Sequence, residues 1–249
     1  MRTHALLALT LLLSGNALAK DADGLFDKPA SVAKIPLAPD PLNPQAKPTL
    51  SCFFFKAFAV KQIDLGEVGA QQLSVVPLPP GGAPYKCREA NAEGEKVADA
   101  KDWSGYFKGV KGGYVFFDAA DGINSGLGFA VFDASSGKKL FDDVSMDIHA
   151  IKLTPSGIAI GYRRAYAAGC SLFADAAGCW AKIKQDTGLT GTAPDCNAAY
   201  KRDLQKWKDR AKEIASSPTV IYYEAQTVLE SGAAKTSPAA GKVTCAPAN

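Results

Sequence analysis

The sequence predicts an α+β chain dominated by β-structure, an antiparallel meander or sandwich. One amphipathic helix is expected over about 197–216 and a short Cys-flanked helical segment over about 171–185. Three observations carry this reading. Between Tyr106 and Tyr166, short runs of Val, Ile, Phe and Tyr alternate with Gly, Asp and Ser turns. A helical period appears only late, where Tyr200, Leu204, Trp207, Ala211 and Ile214 recur at four- and three-residue steps. Finally, six cysteines follow a leader-like N-terminus.

The elements follow in order. Arg2, the apolar run Ala5–Leu13 and the small-x-small Ala17-Leu18-Ala19 predict a cleaved signal peptide over 1–19. The run is shorter than the ~20 residues that span a bilayer, and no cysteine near Ala19 offers a lipid anchor. The mature chain is therefore expected to be periplasmic or secreted, with no membrane anchor. Residues 20–48 hold Pro29, Pro36, Pro39, Pro41, Pro44 and Pro48 and read as an extended linker. Residues 49–249 read as a single disulfide-stabilised β-rich domain.

Within that domain SCFFFKAFAVKQIDL and QQLSVVPLP are β-like, and Pro79-Pro80-Gly81-Gly82 breaks the chain. Residues 88–102 are polar and read as a surface loop. The runs YVFF, GFAVF, KKLF, IHAIKL and IAIGY follow as strands. The stretch FDASSGKKLF resembles a hairpin from a β-propeller blade of the quinoprotein kind, which implies a partial propeller-like sheet as a variant of this fold. No fixed-period repeat runs through the chain, which counts against a complete propeller. In the Cys170–Gly188 segment Gly178 reads as a helix break. Asp195 or Asn197 can cap the later helix and Pro218 stops it. TVIYYEAQTVLE returns as a strand before a small-residue tail.

An even cysteine count in an exported chain predicts three disulfides. Spacing leaves the pairing open, and proximity favours Cys52–Cys87, Cys170–Cys179 and Cys196–Cys245. Zinc needs close Cys-x-x-Cys spacing or histidine partners, and neither is present. With 28 basic and 25 acidic residues, the chain lacks the basic excess that nucleic acid requires.

Beyond the leader, His149 is the only histidine. On a regular strand Asp143, Ser145, Asp147 and His149 would share one face, giving a base–orienter pair for a hydrolase. The nucleophile pattern G-x-S-x-G is absent, Ser125 falling one place late, and glycine-rich phosphate loops are missing. Asp118, Asp121 and Asn124 offer hard oxygen ligands for calcium, but the EF-hand register puts Phe117 and Ala119 where acids belong. The repeated form F-D-A-x-x-G, at Phe117 and again at Phe132, reads instead as strand ends closed by Asx-turns.

Two surfaces complete the inventory. Lys201, Arg202, Lys206, Lys208, Arg210 and Lys212 form a basic stretch suited to an acidic partner or to water. Phe53, Phe54, Phe55 and Phe58, with Tyr162 and Tyr166, would line a ligand groove or fill the core. These features point to an exported, non-enzymatic binding protein whose partner is a protein or cell-envelope component. An inhibitor or immunity protein for an envelope-acting enzyme is one version. The alternatives are a hydrolase using Asp143, Asp147 and His149, and a calcium-stabilised β module.

Overall fold

Two runs in mid-chain, Val115–Phe117 and Phe129–Phe132, are buried at every position. A strand achieves this only where both faces of its sheet are covered. The computed structural model, which describes residues 24–82, 84–99 and 101–248, shows how the covering is done. The predicted signal peptide lies outside the described residues.

The first sheet is antiparallel in the order β1 (Ser31–Pro36), β2 (Thr49–Phe54), β3 (Phe58–Asp64), β4 (Gln72–Pro77) and β5 (Lys96–Val97). Seven strands of the second run from its edge β6 (Gly105–Lys111) through β7 (Tyr114–Ile123), β8 (Gly126–Asp133), β9 (Lys139–Thr154), β10 (Gly157–Ala167) and β11 (Thr219–Glu230) to β12 (Ala233–Pro238). The eighth, β13 (Thr244–Pro247), also pairs with β11. Strand makes up 45% of the described residues, so the α+β, β-dominant expectation holds.

Val115, Phe117, Ala130 and Phe132 meet Phe58, Val60, Leu73 and Val75 of the first sheet. On the opposite face, Phe116, Phe129 and Val131 join Ile158, Ile160, Tyr162 and Ile221 beneath Trp180, Ile183, Tyr200 and Ile214. Those four side chains come from the helices α1 (Ala176–Thr187), α2 (Asn197–Lys206) and α3 (Ala211–Ser216). The layers are therefore sheet, sheet and helices.

Several local expectations change. Gly178 lies in the first turn of α1, where Asp175 caps its N–H at 3.0 Å. A Cβ there would sit 2.3 Å from Asp175 Oδ2, so glycine lets the cap close and does not break the helix. KKLF, from its second lysine, and IHAIKL belong to one long strand, β9. Within the Pro-rich segment, Ser31–Pro36 pairs with β2 as an edge strand.

The single helix expected over 197–216 is divided into α2, a 3-10 turn at Lys208–Arg210 and α3. Tyr200 and Ile214 are buried, but Trp207 is 45% exposed and Ala211 faces solvent. The cause is a constraint on the ends. Cys196 is bonded to Cys245, which pairs with Ile221 near the start of β11. The segment must leave and return to nearly one place, whereas a straight helix of this length would span about 30 Å. It folds back at Trp207, whose φ of −122° and ψ of 63° are not helical.

The other disulfides join Cys52 to Cys87 and Cys170 to Cys179, so proximity chose all three pairs. The bridges fit an oxidising environment. Among the described residues no helix is long and apolar enough to cross a membrane.

Replacing Cys196 and Cys245 together by serine should lower the unfolding free energy by about 3 kcal/mol in urea denaturation, with β-rich circular dichroism retained. A second test uses Asp133, whose Oδ1 accepts from Ser135 Oγ, Ser136 N and Ser136 Oγ at 2.6–2.8 Å. Burial pushes its carboxyl up, but these bonds outweigh it and hold the group below its ordinary 3.8. Its stabilisation is thus complete above about pH 3.8 and is lost as pH falls through the depressed value. Urea midpoints of wild type and Asp133→Asn should differ at pH 7 and converge in stronger acid.

Candidate functional site

Irregular backbone decides where the acidic candidates go. On β9 the buried residues Ser145, Ile148 and Ile151 fall at three-residue steps. Ser145 stands opposite Arg164, Asp147 opposite Arg163 and Ile148 opposite Tyr162, because bulges interrupt the β9–β10 register twice. Each bulge shifts the alternation of faces. Asp143 consequently turns to the helix side, while His149 lies over Gly161 on the other face.

Asp143 accepts from Tyr162 Oη at 2.6 Å, and its Oδ2 pairs with Arg164 Nε at 2.7 Å. Arg164 donates on to Tyr223 Oη at 2.9 Å, and Tyr162 Oη meets Thr227 Oγ1, also at 2.9 Å. Burial, then the Asp143 charge, pushes the Tyr162 hydroxyl well above its ordinary range. Burial likewise raises the Tyr223 hydroxyl, against the Arg164 charge. These groups hold one another in a satisfied, largely buried network, the arrangement of structural glue. His149 Nε2 is 3.8 Å from Glu224, whose other oxygen binds Arg163 at 3.1 Å. Asp147 is exposed. The three residues expected of a hydrolase are not brought together.

The calcium trio is also dispersed among structural duties. Asp118 binds Lys108 at 2.8 Å. Asn124 and Ser125 form the turn between β7 and β8 with φ of 53° and 60°, and Asn124 O accepts from Tyr222 Oη. Asp121 is exposed. The six basic residues between Lys201 and Lys212 are exposed but spread over α2, the 3-10 turn and α3. There Arg210 pairs with Glu213, and Lys206 lies 5.0 Å over the Trp207 ring.

The aromatic candidates divide as well. Tyr162 and Phe58 are in the core, Tyr166 donates to Asp186, and Phe54 turns toward Tyr85. Phe53 and Phe55, however, line a cavity of about 540 Å³ along the edge strand β6. Its first wall is the inner face of β1 and β2, with Val32 opposite Phe53. Phe107 of β6 closes the floor, its ring 4.4 Å from that of Phe53. Residues 24–29 form the second wall. Their course is fixed by Asp27 N donating to Val110 O at 2.7 Å and Gly112 N donating to Asp27 Oδ2 at 2.6 Å.

Gly109 makes that wall possible. A Cβ there would lie 2.5 Å from the Phe26 ring, which instead rests on the bare backbone and packs edge-on against Phe116. Lysines mark the rim. Lys108 is engaged by Asp118, but Lys28 and Lys34 are exposed and in no ion pair among the described residues. The nearby Asp27 carboxylate is taken by Gly112 N and Lys111. An apolar, aromatic interior under two uncompensated cations is the result.

Lys28, Lys34, Phe26 and Phe107 are site residues that the sequence did not single out. The available signal was the alternating SVAKIP with Phe26 just before it, which marks a strand inside an apparent linker. Comparison with known proteins gives no match to this chain among family models, curated proteins or solved structures.

Asp143→Ala should lower the unfolding free energy by about 3 kcal/mol, because it strands the Arg164 guanidinium in a mostly buried site. Gly109→Ala should displace Phe26, read as an altered Phe26–Phe116 contact in NMR spectra, without loss of the sheets.

Proposed function

We propose that this chain is an exported binding protein, not an enzyme, and that its ligand is an anionic amphiphile of the cell envelope. The observation that carries the reading is the convergence of Phe53, Phe55 and Phe107 beneath Lys28 and Lys34, which have no ion-pair partner among the described residues. An acyl chain lies along the phenyl rings, where burial of apolar surface supplies the affinity. The acidic head sits at the rim, where the lysines fix its direction. The cavity volume falls within the roughly 300–1,000 Å³ typical of small-molecule sites. Three disulfides are compatible with export, and one of them, Cys52–Cys87, anchors β2, which forms part of the first wall.

Titration of the mature protein with a fluorescent long-chain fatty acid tests the reading. Saturable binding is expected, and Lys28→Glu with Lys34→Glu should weaken it at least tenfold, about 1.4 kcal/mol, at unchanged melting temperature. An alkyl alcohol of the same length should bind more weakly than the acid. Absence of saturable binding, or equal affinity in the charge-reversed variant, would contradict the proposal. An inhibitor or immunity role would place a protein segment on this surface instead, and would leave fatty acid unbound.

A further inference from the structure

On the opposite face of the first sheet, the loop between β4 and β5 folds back over β3 and β4. Lys61 of β3 is fully buried there, and the Glu95 side chain is 1% exposed, with Nζ and Oε1 2.7 Å apart. Lys61 Nζ also donates to Glu89 O at 3.1 Å and to Asn91 Oδ1 at 3.4 Å. The Asn91 carbonyl accepts a second bond, from Gln72 Nε2 at 2.9 Å, and Gln72 Nε2 also donates to Glu95 Oε1 at 3.0 Å. Ser74 Oγ and Ala92 N complete the contacts of the Glu95 carboxylate, at 2.5 and 2.7 Å. The surroundings are otherwise apolar: Leu50, Cys52 and Ile63 pack with Phe54 and Tyr85.

An amine and a carboxyl group are thereby held out of water against a primary amide. We infer that Lys61 and Asn91 form an intramolecular isopeptide bond, with Glu95 as the proton carrier and Gln72 as the donor to the developing oxyanion. The step balances without any co-reactant. A proton passes from Lys61 Nζ to Glu95 across the 2.7 Å contact, leaving a neutral amine. The amine attacks Asn91 Cγ, and negative charge builds on Oδ1, which Gln72 Nε2 already contacts. Glu95 protonates the departing nitrogen, the Cγ–N bond breaks to release ammonia, and Glu95 then takes up the second proton that Nζ sheds as the amide forms. A secondary amide remains between Nζ and Cγ.

Two features favour the reaction. Burial of the ion pair carries a desolvation cost that the neutral amine and acid do not bear, which narrows the gap between the two states. In the resting pair burial pushes the Glu95 carboxyl up, but bonds from Lys61, Ser74 and Ala92 N hold it below its ordinary range, so proton transfer is the uphill step. Positioning supplies the second advantage, since amine and amide need no encounter. Asn91 itself is exposed on its outer side, which gives ammonia an exit. The bond would staple the loop to β3 beside Cys52–Cys87, and unlike that bridge it would survive reduction.

Peptide mapping of the native protein, reduced and alkylated before trypsin, tests the inference independently of any ligand. The expected product is one branched species joining residues 57–86 to residues 89–96, lighter than the separate peptides by one ammonia and one water. The intact mass should show the same missing ammonia. Asn91→Ala, an exposed substitution, should restore the linear peptides and remove the deficit. Cleavage after Lys61 in the native protein overturns the inference, and so does a mass deficit that persists in Asn91→Ala. A succinimide at Asn91 would also shed ammonia, but it would leave Lys61 open to trypsin and so counts against the bond.

Discussion

The rest of the fold depends on β7 and β8 being buried on both faces. Val115, Phe116 and Phe117 are each at most 1% exposed, and they point alternately to the first sheet and to the helices. Two unlike layers must therefore cover the second sheet, and neither matches its width. The five-stranded layer sits toward the β6 edge, so β1 and β2 project past Phe107 with Phe53 and Phe55 facing inward. The groove is a consequence of that offset. It is bounded by residues 24–29, which cross the edge of β6 at Val110 and Gly112.

Where cover runs out, the sheet becomes polar in an organised way. The face of β9 to β11 away from the helices carries Arg163 in an ion pair with Glu224, and His149 lies 3.8 Å from the same carboxylate. Beneath the helices, Asp143, Arg164, Tyr162 and Tyr223 satisfy one another, which is the condition for burying such groups without large cost. Both clusters have structural accounts. The groove differs from them because Lys28 and Lys34 have no charged partner in the described structure, and Val32 is 47% exposed above an aromatic floor.

The strands and turns were readable because β-structure with Gly and Asp punctuation is a local signal. YVFF and GFAVF showed themselves as uninterrupted apolar runs, and Asp133 does close its turn by bonding to Ser135 and Ser136. Its sequence twin Asp118 pairs with Lys108 instead, since β7 continues past it to Ile123. Disulfide pairing followed proximity. Long-range geometry was not readable. The β9 bulges undo the shared face of Asp143 and His149, and the tie from Cys196 to Cys245 bends the helix at Trp207. Each depends on a partner distant in sequence. The groove was half visible: Phe53 and Phe55 were noted, but Lys28, Lys34 and Phe107 join them only through sheet packing.

The central claim is that the offset between the sheets creates a binding surface for an acidic, acyl-bearing molecule. Mapping backbone and side-chain NMR shifts during titration with a long-chain carboxylate tests it most directly, because the response is located residue by residue. The account predicts saturable shifts confined to Phe26, Lys28, Val32, Lys34, Phe53, Phe55 and Phe107, with His149 and Arg163 unmoved. Shifts centred on the His149 face, or no saturable shifts at all, would contradict it.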